Sequence, residues 1–329
     1  MVTLDDIRTA QQRLKGVAFH TPLIPYVKTS GGNVSPPQPQ LWLKAENFQP
    51  IGAFKLRGAY NKLVALTPEE RRRGVITYSS GNHAQGVAFA ARALDVKSVI
   101  VMPRNAPSTK IEATRGYGAQ IEFVGPSSSE RQARAEELAS KHGYVIIPPY
   151  NDEHIIAGQG TVGLEILTDL PEAGAVLVPI GGGGLISGTA TAVKLINPAV
   201  KVIGVEPELA ADAQASMREG RIVEWSGEQT ARTMADGLRT QHVGEITFAH
   251  MRRYVDQVLT VSEDEISAAT ALLAVHAKLV AEPSGAVSFA AWHFHQDELP
   301  QVKCTVAVIS GGNIEPQLLA DILHSYHEH

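Results

Sequence analysis

Lys55 is the residue whose setting most favours covalent chemistry. It lies between Phe54 and Leu56, and glycines stand three residues before it and three after, at Gly52 and Gly58. Apolar neighbours desolvate an amine and favour its neutral, nucleophilic form, which a Schiff base requires. The same local sequence also fits a surface lysine at the start of a helix, so the choice depends on the rest of the chain.

Four consecutive glycines at residues 181–184 follow an apolar run and precede a helical pattern. Glycine lets backbone N–H groups approach an anion, and a helix N-terminus adds a favourable dipole. No Lys-Ser/Thr pair follows, so the segment is not a Walker A loop. It also lacks the complete Rossmann spacing, which is its natural competitor. We therefore predict a phosphate-binding loop, with a turn that holds no ligand as the alternative.

Two other segments follow predicted strands. Residues 79–83 are Ser-Ser-Gly-Asn-His, and residues 310–313 are Ser-Gly-Gly-Asn. The first offers hydroxyl, amide and N–H groups to a substrate carboxylate, although a serine N-cap of the next helix explains it equally well. In the second, a serine hydroxyl facing a heteroatom of a bound ring competes with another helix cap.

Glu206 and Asp212 lie six residues apart after a predicted strand, with the carbonyl of Ala210 between them. These are hard oxygen ligands of the kind that Mg²⁺ or Ca²⁺ prefers. A solvated acidic turn is the alternative that the residues alone favour. The twelve histidines offer no convincing metal pair, because His293 and His295 are two residues apart and do not share a helix face.

The elements that must position these residues alternate between strands and helices, which predicts parallel sheets covered on both faces. Capping boxes at residues 67–70 and 262–265 begin two of the helices. The predicted strands cover residues 41–43, 75–78, 98–102, 120–124, 144–147, 175–179, 200–205 and 305–309. The predicted helices include residues 4–14, 82–94, 128–141, 153–170, 184–196 and 262–280.

Composition limits the partners and the location. The 329 residues are 44% hydrophobic and 19% charged, as in a soluble globular protein, and the net charge of −5 argues against nucleic acid. The single cysteine, Cys304, excludes an intramolecular disulfide and fits a reducing compartment as a buried, inert thiol. Because we find neither a signal-peptide pattern nor an apolar run of membrane-spanning length, we expect a cytoplasmic protein with no membrane partner.

Taken together, the motifs resemble those of the pyridoxal-phosphate enzymes of fold type II. Residues 54–59 (Phe-Lys-Leu-Arg-Gly-Ala), 79–83, 181–184 and 310–313 follow the order and spacing of that family, most similarly to the threonine/serine dehydratases and serine racemase. The resemblance covers about residues 21–313. It implies a two-lobed, parallel-sheet α/β fold of the tryptophan synthase β-like type. Residues 1–74 and 150–329 would form the large cofactor-binding domain, and residues 75–149 a small mobile domain.

The resemblance also implies roles for single residues. Lys55 would bind pyridoxal phosphate as a Schiff base and then move the Cα proton, and the cofactor phosphate would lie on Gly181, Gly182, Gly183 and Gly184. Phe54 would pack on the ring, Asn82 would bind its hydroxyl, and Ser310 would face its nitrogen. A neutral serine there makes the ring a weaker electron sink, which suits β-elimination.

The substrate and a divalent cation would contact further residues that the resemblance implies. Asp236 would lie near the substrate hydroxyl and Arg131 would move with the small lobe, although both also fit ordinary surface charges. The full substrate set is Ser79, Ser80, Asn82, His83, Arg131 and Asp236. A Mg²⁺ or Ca²⁺ ion would be held by Glu206, Ala210 and Asp212.

The expected activity is that of an ammonia-lyase that dehydrates L-threonine or L-serine to a 2-oxo acid and ammonia. The alternative is a racemase of serine or hydroxyaspartate with side elimination, in which Ser80 serves the face opposite Lys55. A non-catalytic nucleotide-binding module would use the four glycines but would have no use for Lys55. The resemblance implies a homodimer. Because sixteen residues follow Asn313, we expect no fused regulatory domain.

Overall fold

Two sheets, each covered by helices, form the architecture. The computed structural model describes residues 1–27, 40–79, 81–104, 106, 108–125 and 128–326. The strands in this part of the chain are β1 (Leu23–Tyr26), β2 (Gln40–Ala45), β3 (Val75–Tyr78), β4 (Ser98–Pro103), β5 (Gln120–Val124), β6 (Val145–Ile146), β7 (Ala175–Pro179), β8 (Lys201–Pro207), β9 (Gln257–Val261) and β10 (Cys304–Ile309).

The α-helices lie mainly between the strands. They are α1 (Leu4–Arg13), α2 (Lys55–Ala65), α3 (Pro68–Arg73), α4 (Asn82–Ala93), α5 (Ser108–Gly116), α6 (Ser128–His142), α7 (Glu153–Asp169), α8 (Gly184–Ile196), α9 (Asp212–Glu219), α10 (Gly227–Thr230), α11 (Glu245–Tyr254), α12 (Glu263–Leu272), α13 (Pro283–Phe294) and α14 (Pro316–Ser325). None of the helices in the described ranges combines the length and apolar character needed to cross a membrane.

The larger sheet has the strand order β1-β2-β10-β7-β8-β9. Only β1 is antiparallel to its neighbour, and the other pairs are parallel. Every residue of β7 and β10 is buried, because helices cover both faces of the sheet. Separate apolar clusters pack on the two faces, one around Phe289 and the other around Ile186.

The smaller sheet has the order β5-β4-β3-β6, and all its strands are parallel. It lies wholly within residues 75–149. Helix α4 packs on this sheet and also on α2, which carries Lys55 at its first turn. Gly86 allows the contact between the two helices, since a Cβ added there would stand 3.2 Å from the backbone of Lys55. Helix α4 thereby connects the smaller sheet to the helix that presents the lysine.

The predicted parallel α/β fold is confirmed, and β3, β5 and β7 have the predicted bounds. Both predicted capping boxes are present, at Thr67 and Ser262. The prediction of a helix over residues 262–280 is wrong at its end. Helix α12 ends at Leu272, a π-helical turn follows over Leu273–Ala277, and Lys278 takes a left-handed φ of 59°.

Strands β1 and β9 are not among the predicted strands, because β1 is short and contains a proline and β9 mixes apolar with polar residues. The serine cap proposed for the helix at Asn82 is also wrong for the described part of that segment. Gly81 is the N-cap of α4 and makes no side-chain capping bond, while Ser79 Oγ accepts a 3.3 Å hydrogen bond from the Gly81 N–H.

Candidate active site

A cleft of about 870 Å³ lies where strands β3, β7 and β10 end, which is the edge where ligands bind in open α/β sheets. Both sheets contribute residues to its walls. Twelve of the predicted site residues line it: Phe54, Lys55, Ser79, Asn82, His83, Arg131, Gly181, Gly182, Gly183, Gly184, Asp236 and Ser310. Ser80 lies outside the described residues.

Lys55 reaches this cleft from the first residue of α2. Its Nζ donates a 2.8 Å hydrogen bond to the carbonyl of Pro149 and lies 5.2 Å from the Phe54 ring centroid. Burial lowers the pKa of Lys55 to about 8, because the ammonium form loses its hydration. The Phe54 N–H donates to the Ser310 carbonyl at 3.0 Å, so the end of β10 holds the lysine segment in place.

The four glycines connect β7 to α8 and expose their backbone to the cleft. Gly183 needs glycine for its left-handed φ of 89°, and a Cβ on Gly182 would overlap the ring of Tyr150. Thr247 fixes the turn by donating a 2.8 Å hydrogen bond to the Gly182 carbonyl. Within the described residues, none of the four N–H groups donates a hydrogen bond to a protein acceptor. They form a ready cradle for an anion.

His83 lies deep in the cleft on α4. Its Nε2 donates a 3.0 Å hydrogen bond to the carbonyl of Ile147, which leaves Nδ1 as an acceptor. Burial, together with the neighbouring charge of Lys55, lowers the pKa of His83 to about 3. The imidazole is therefore neutral and brings no competing positive charge to the lysine.

Asn82 begins α4 and is held by two side chains from the larger sheet's side of the cleft. Its Nδ2 donates a 2.5 Å hydrogen bond to Glu282 Oε1, and its Oδ1 accepts a 2.8 Å hydrogen bond from Asn313 Nδ2. The sequence analysis missed Glu282 as a site residue. The only local signal was an acidic residue before Pro283 at a helix start, which also occurs at ordinary N-termini.

A second polar contact crosses the cleft between Lys110 on α5 and Asp236, which form an ion pair. Lys110 was also missed, because nothing in its local sequence separates it from a surface lysine. Arg131 lines the same side of the cleft from α6, and burial lowers the pKa of its guanidinium.

Glu206 and Asp212 lie outside the cleft lining, where β8 leads into α9. Glu206 accepts hydrogen bonds from the N–H groups of Ala213 and Gln214 at 3.0 and 2.7 Å. Both carboxylate oxygens of Asp212 are buried and have no hydrogen-bond partner in the described chain. Burial raises the pKa of Asp212 to about 8, and burial together with Asp212 raises that of Glu206.

A bound cation would stabilise the charged forms of Glu206 and Asp212. The carbonyl of the buried Ala210 belongs to the same turn and could be a further ligand. No group of three or more histidine, cysteine, aspartate or glutamate side chains in the described ranges is arranged to hold a metal ion. Any cation there would therefore need backbone carbonyl or water ligands as well.

The cleft fits pyridoxal phosphate as a cofactor. A buried amine of lowered pKa suits its aldehyde, and the N–H groups of the four glycines suit its phosphate. Lys55 and the four glycines are far apart in the sequence but line the same cavity.

Comparison with known proteins gives a consistent result. The family described as "Pyridoxal-phosphate dependent enzyme" matches residues 15–311. The L-threonine ammonia-lyase of Thermotoga maritima is 45% identical over 327 residues, covering 98% of this chain and 79% of that protein. The L-threo-3-hydroxyaspartate ammonia-lyase of Saccharomyces cerevisiae is 42% identical, covering 98% and 96%. The structure of maize serine racemase superposes with a TM-score of 0.90 at 35% identity, covering 98% and 97%.

Proposed function

The chain belongs to the family of pyridoxal-phosphate dependent enzymes, and from this premise we propose that it converts L-threonine and L-serine to a 2-oxo acid and ammonia. The observation that carries the proposal is Lys55, a buried amine of lowered pKa in the same cleft as the four unbonded glycine N–H groups. Relatives of this sequence include proteins named for the same reaction on threonine and on hydroxyaspartate.

The proposed roles in cofactor binding follow the positions of the side chains. Lys55 is the attachment point, and residues 181–184 hold the phosphate by their N–H groups. Phe54 would pack on the ring, Asn82 would donate to the ring hydroxyl, and Ser310 would face the ring nitrogen. When bound, the cofactor supplies an aldehyde that condenses with amines and a conjugated ring that accepts electrons from Cα.

Lys55 also serves as the base that removes the Cα proton, because its lowered pKa supplies a neutral amine near neutral pH. The β-hydroxyl leaves as water after gaining a proton. The released enamine then takes up one water and gives the 2-oxo acid and ammonia, so the net reaction consumes no external reactant. His83 beside Lys55 is neutral, so burial rather than a neighbouring positive charge is what lowers the pKa of this base.

The substrate set in this proposal consists of polar groups from both walls of the cleft. Ser79, Asn82 and His83 stand at the start of α4 and would receive the substrate carboxylate with help from the N-terminal N–H groups. Asp236 would meet the β-hydroxyl, and Arg131 would face it from α6. Ser80 belongs to the same set by its place in the sequence.

Racemisation of serine or hydroxyaspartate is the second candidate function. The likeness to maize serine racemase supports it, and so does the serine at position 80. Racemisation needs a second acid on the face opposite Lys55, within hydrogen-bond reach of Cα. Elimination needs only the base that Lys55 provides.

The proposal extends to a metal, a domain movement and an assembly. Glu206, Asp212 and the Ala210 carbonyl would hold Mg²⁺ or Ca²⁺, as the two buried acids suggest. Residues 75–149 would move as a small domain that closes the cleft through the Lys110–Asp236 ion pair. We further infer a homodimer from the family resemblance.

The test is a substrate screen on the purified protein saturated with pyridoxal phosphate. L-threonine, L-serine and L-threo-3-hydroxyaspartate are each supplied, and both the 2-oxo acid and the opposite enantiomer are measured. We expect 2-oxo acid from L-threonine or L-serine as the main product. Predominant formation of the D-enantiomer would favour the racemase, and a protein that shows no visible cofactor absorption would overturn both candidates.

A further inference from the structure

We propose that Glu282 is a positioning residue that fixes the carboxamide of Asn82 in the one orientation that offers an N–H to the cofactor. Glu282 acts through Asn82, and the inference rests on the proposed cofactor role of Asn82. The glutamate lies at the N-cap of α13, 200 residues from Asn82 in the sequence, and it lines the cleft.

The hydrogen bonds around Asn82 leave its amide a single favourable orientation. Asn313 Nδ2 uses its two hydrogens on the carbonyl of Ile51 and on Asn82 Oδ1, both at 2.8 Å. A donor therefore faces the Asn82 oxygen, and Glu282 Oε1 accepts from the Asn82 nitrogen on the other side. One N–H of Asn82 remains, at a residue that lines the cleft. Rotating the amide by half a turn would break both contacts.

The backbone is built to admit the Glu282 carboxyl group. Glu282 is 4% exposed, and its own N–H donates to the Gly311 carbonyl at 3.1 Å. A Cβ added to Gly311 would overlap Glu282 Oε1, so that position must be glycine for the carboxyl group to reach Asn82. Gly311 of the 310–313 segment thus leaves space for the carboxyl group of Glu282 at the start of α13.

The charges around Glu282 favour its neutral form. Burial and the charge of Asp236 raise the pKa of Glu282, Lys110 and the hydrogen bond from Asn82 oppose the rise, and the net result is a pKa of about 8. Near neutral pH the side chain is a neutral acid that accepts from Asn82 as a glutamine would. Glutamine is therefore the conservative replacement, and alanine removes the acceptor altogether.

The experiment compares Glu282→Gln and Glu282→Ala with the parent protein, each saturated with pyridoxal phosphate. The readouts are the visible absorption of lysine-bound cofactor across pH and the cofactor dissociation constant. Glu282→Ala should weaken cofactor binding by about tenfold, the value of one buried hydrogen bond, and shift the absorption. Near neutral pH, Glu282→Gln should keep the parent's affinity and spectrum, and at higher pH it should lack any spectral change that the parent shows near pH 8.

Two further variants make the result decisive. Glu315→Gln is the matched control, because Glu315 is also an N-cap followed by proline but is not among the residues that line the cleft, and it should change neither readout. Gly311→Ala displaces the Glu282 carboxyl group without removing it and should reproduce the loss seen with Glu282→Ala.

Three outcomes would overturn the proposal. They are a parent-like affinity and spectrum in Glu282→Ala, an equal loss in Glu282→Gln and Glu282→Ala at matched melting temperature, or parent-like behaviour of Gly311→Ala. If the parent itself gave no absorption from lysine-bound cofactor, the proposed function would fail, and this proposal with it. If the parent binds cofactor and forms 2-oxo acid, any of the three outcomes above overturns only the proposal for Glu282 and leaves the proposed function standing.

Discussion

The Nζ atom of Lys55 donates a 2.8 Å hydrogen bond to the carbonyl oxygen of Pro149. Pro149 stands where the chain returns from the smaller sheet to α7, so this contact joins the lysine to the segment that connects the smaller sheet to that helix. It also holds the amine at a defined point while burial lowers its pKa to about 8. The amine of Lys55 should therefore react as the neutral form at a lower pH than an ordinary lysine does.

Replacing Lys55 with alanine should abolish both the visible absorption of lysine-bound cofactor and 2-oxo acid formation. Among the described residues, the one other lysine that lines the cleft is Lys110, and it is paired with Asp236. Absorption spectra and a keto-acid assay measure the two effects. Lys62→Ala on the same helix is the control and should retain both. A yellow, active Lys55→Ala protein would remove Lys55 from the mechanism.

The rate at which the cofactor-free protein captures pyridoxal phosphate should depend on pH through Lys55. Only the neutral amine attacks an aldehyde, so the rate should rise about tenfold per pH unit below the pKa and level off above about pH 8. An ordinary lysine would keep gaining reactivity up to about pH 10.4. Stopped-flow absorbance gives the profile, and a rate still climbing well above pH 8 would contradict the lowered pKa.

Asp212 should couple stability to a divalent cation. A cation at a hundred times its dissociation constant stabilises the folded state by about 2.7 kcal/mol, so Mg²⁺ should raise the melting temperature above that in chelator. Asp212→Asn should lose this response. In chelator the variant should melt higher than the parent, because folding no longer has to bury the Asp212 carboxyl group beside Glu206. Glu208→Gln, an exposed acid in the same turn, should behave as the parent does. Identical parent curves with Mg²⁺ and chelator would argue for an acidic turn.

Arg57 should be essential for stability, since it lies between two buried acids. It donates to Glu46 at 2.7 and 2.8 Å and to Glu165 at 2.6 and 2.8 Å. Arg57→Leu leaves the buried Glu46 without its ion-pair partner and leaves Glu165 with Lys44 alone, which should cost about 3 to 5 kcal/mol of unfolding free energy. Denaturant titration measures the loss. Arg72→Leu, which breaks an exposed pair with Glu69, should leave the midpoint unchanged, and an equally mild effect at Arg57 would show that the buried network relaxes easily.

Ser80→Ala should separate the two candidate reactions. If Ser80 is the acid on the face opposite Lys55, the variant should lose racemisation and any action on D-serine, while elimination from L-serine survives. Chiral chromatography and the keto-acid assay follow the two products, with Lys55→Ala as the variant that loses both. Equal loss of L-serine elimination, with cofactor still bound, would instead make Ser80 a substrate-positioning residue.

Much of the fold and the core of the candidate site were predictable because they depend on short segments. Strand β7 and the four glycines after it follow from an apolar run next to residues that tolerate unusual backbone angles. The capping boxes at Thr67 and Ser262 are contacts across three residues. The amine at Lys55 could be identified because its apolar neighbours are adjacent in the chain.

What the tertiary structure alone decided depends on distant packing. Residues 262–280 contain neither glycine nor proline, so local preference predicts one helix, yet the chain ends α12 at Leu272 and reverses at Lys278. That reversal leads Glu282 into the cleft, where it meets Asn82 and Asn313. The burial that shifts the pKa values of Lys55 and Glu282 likewise comes from cleft walls contributed by both sheets. A local sequence pattern cannot predict such contacts, because they form between residues that are far apart in the chain.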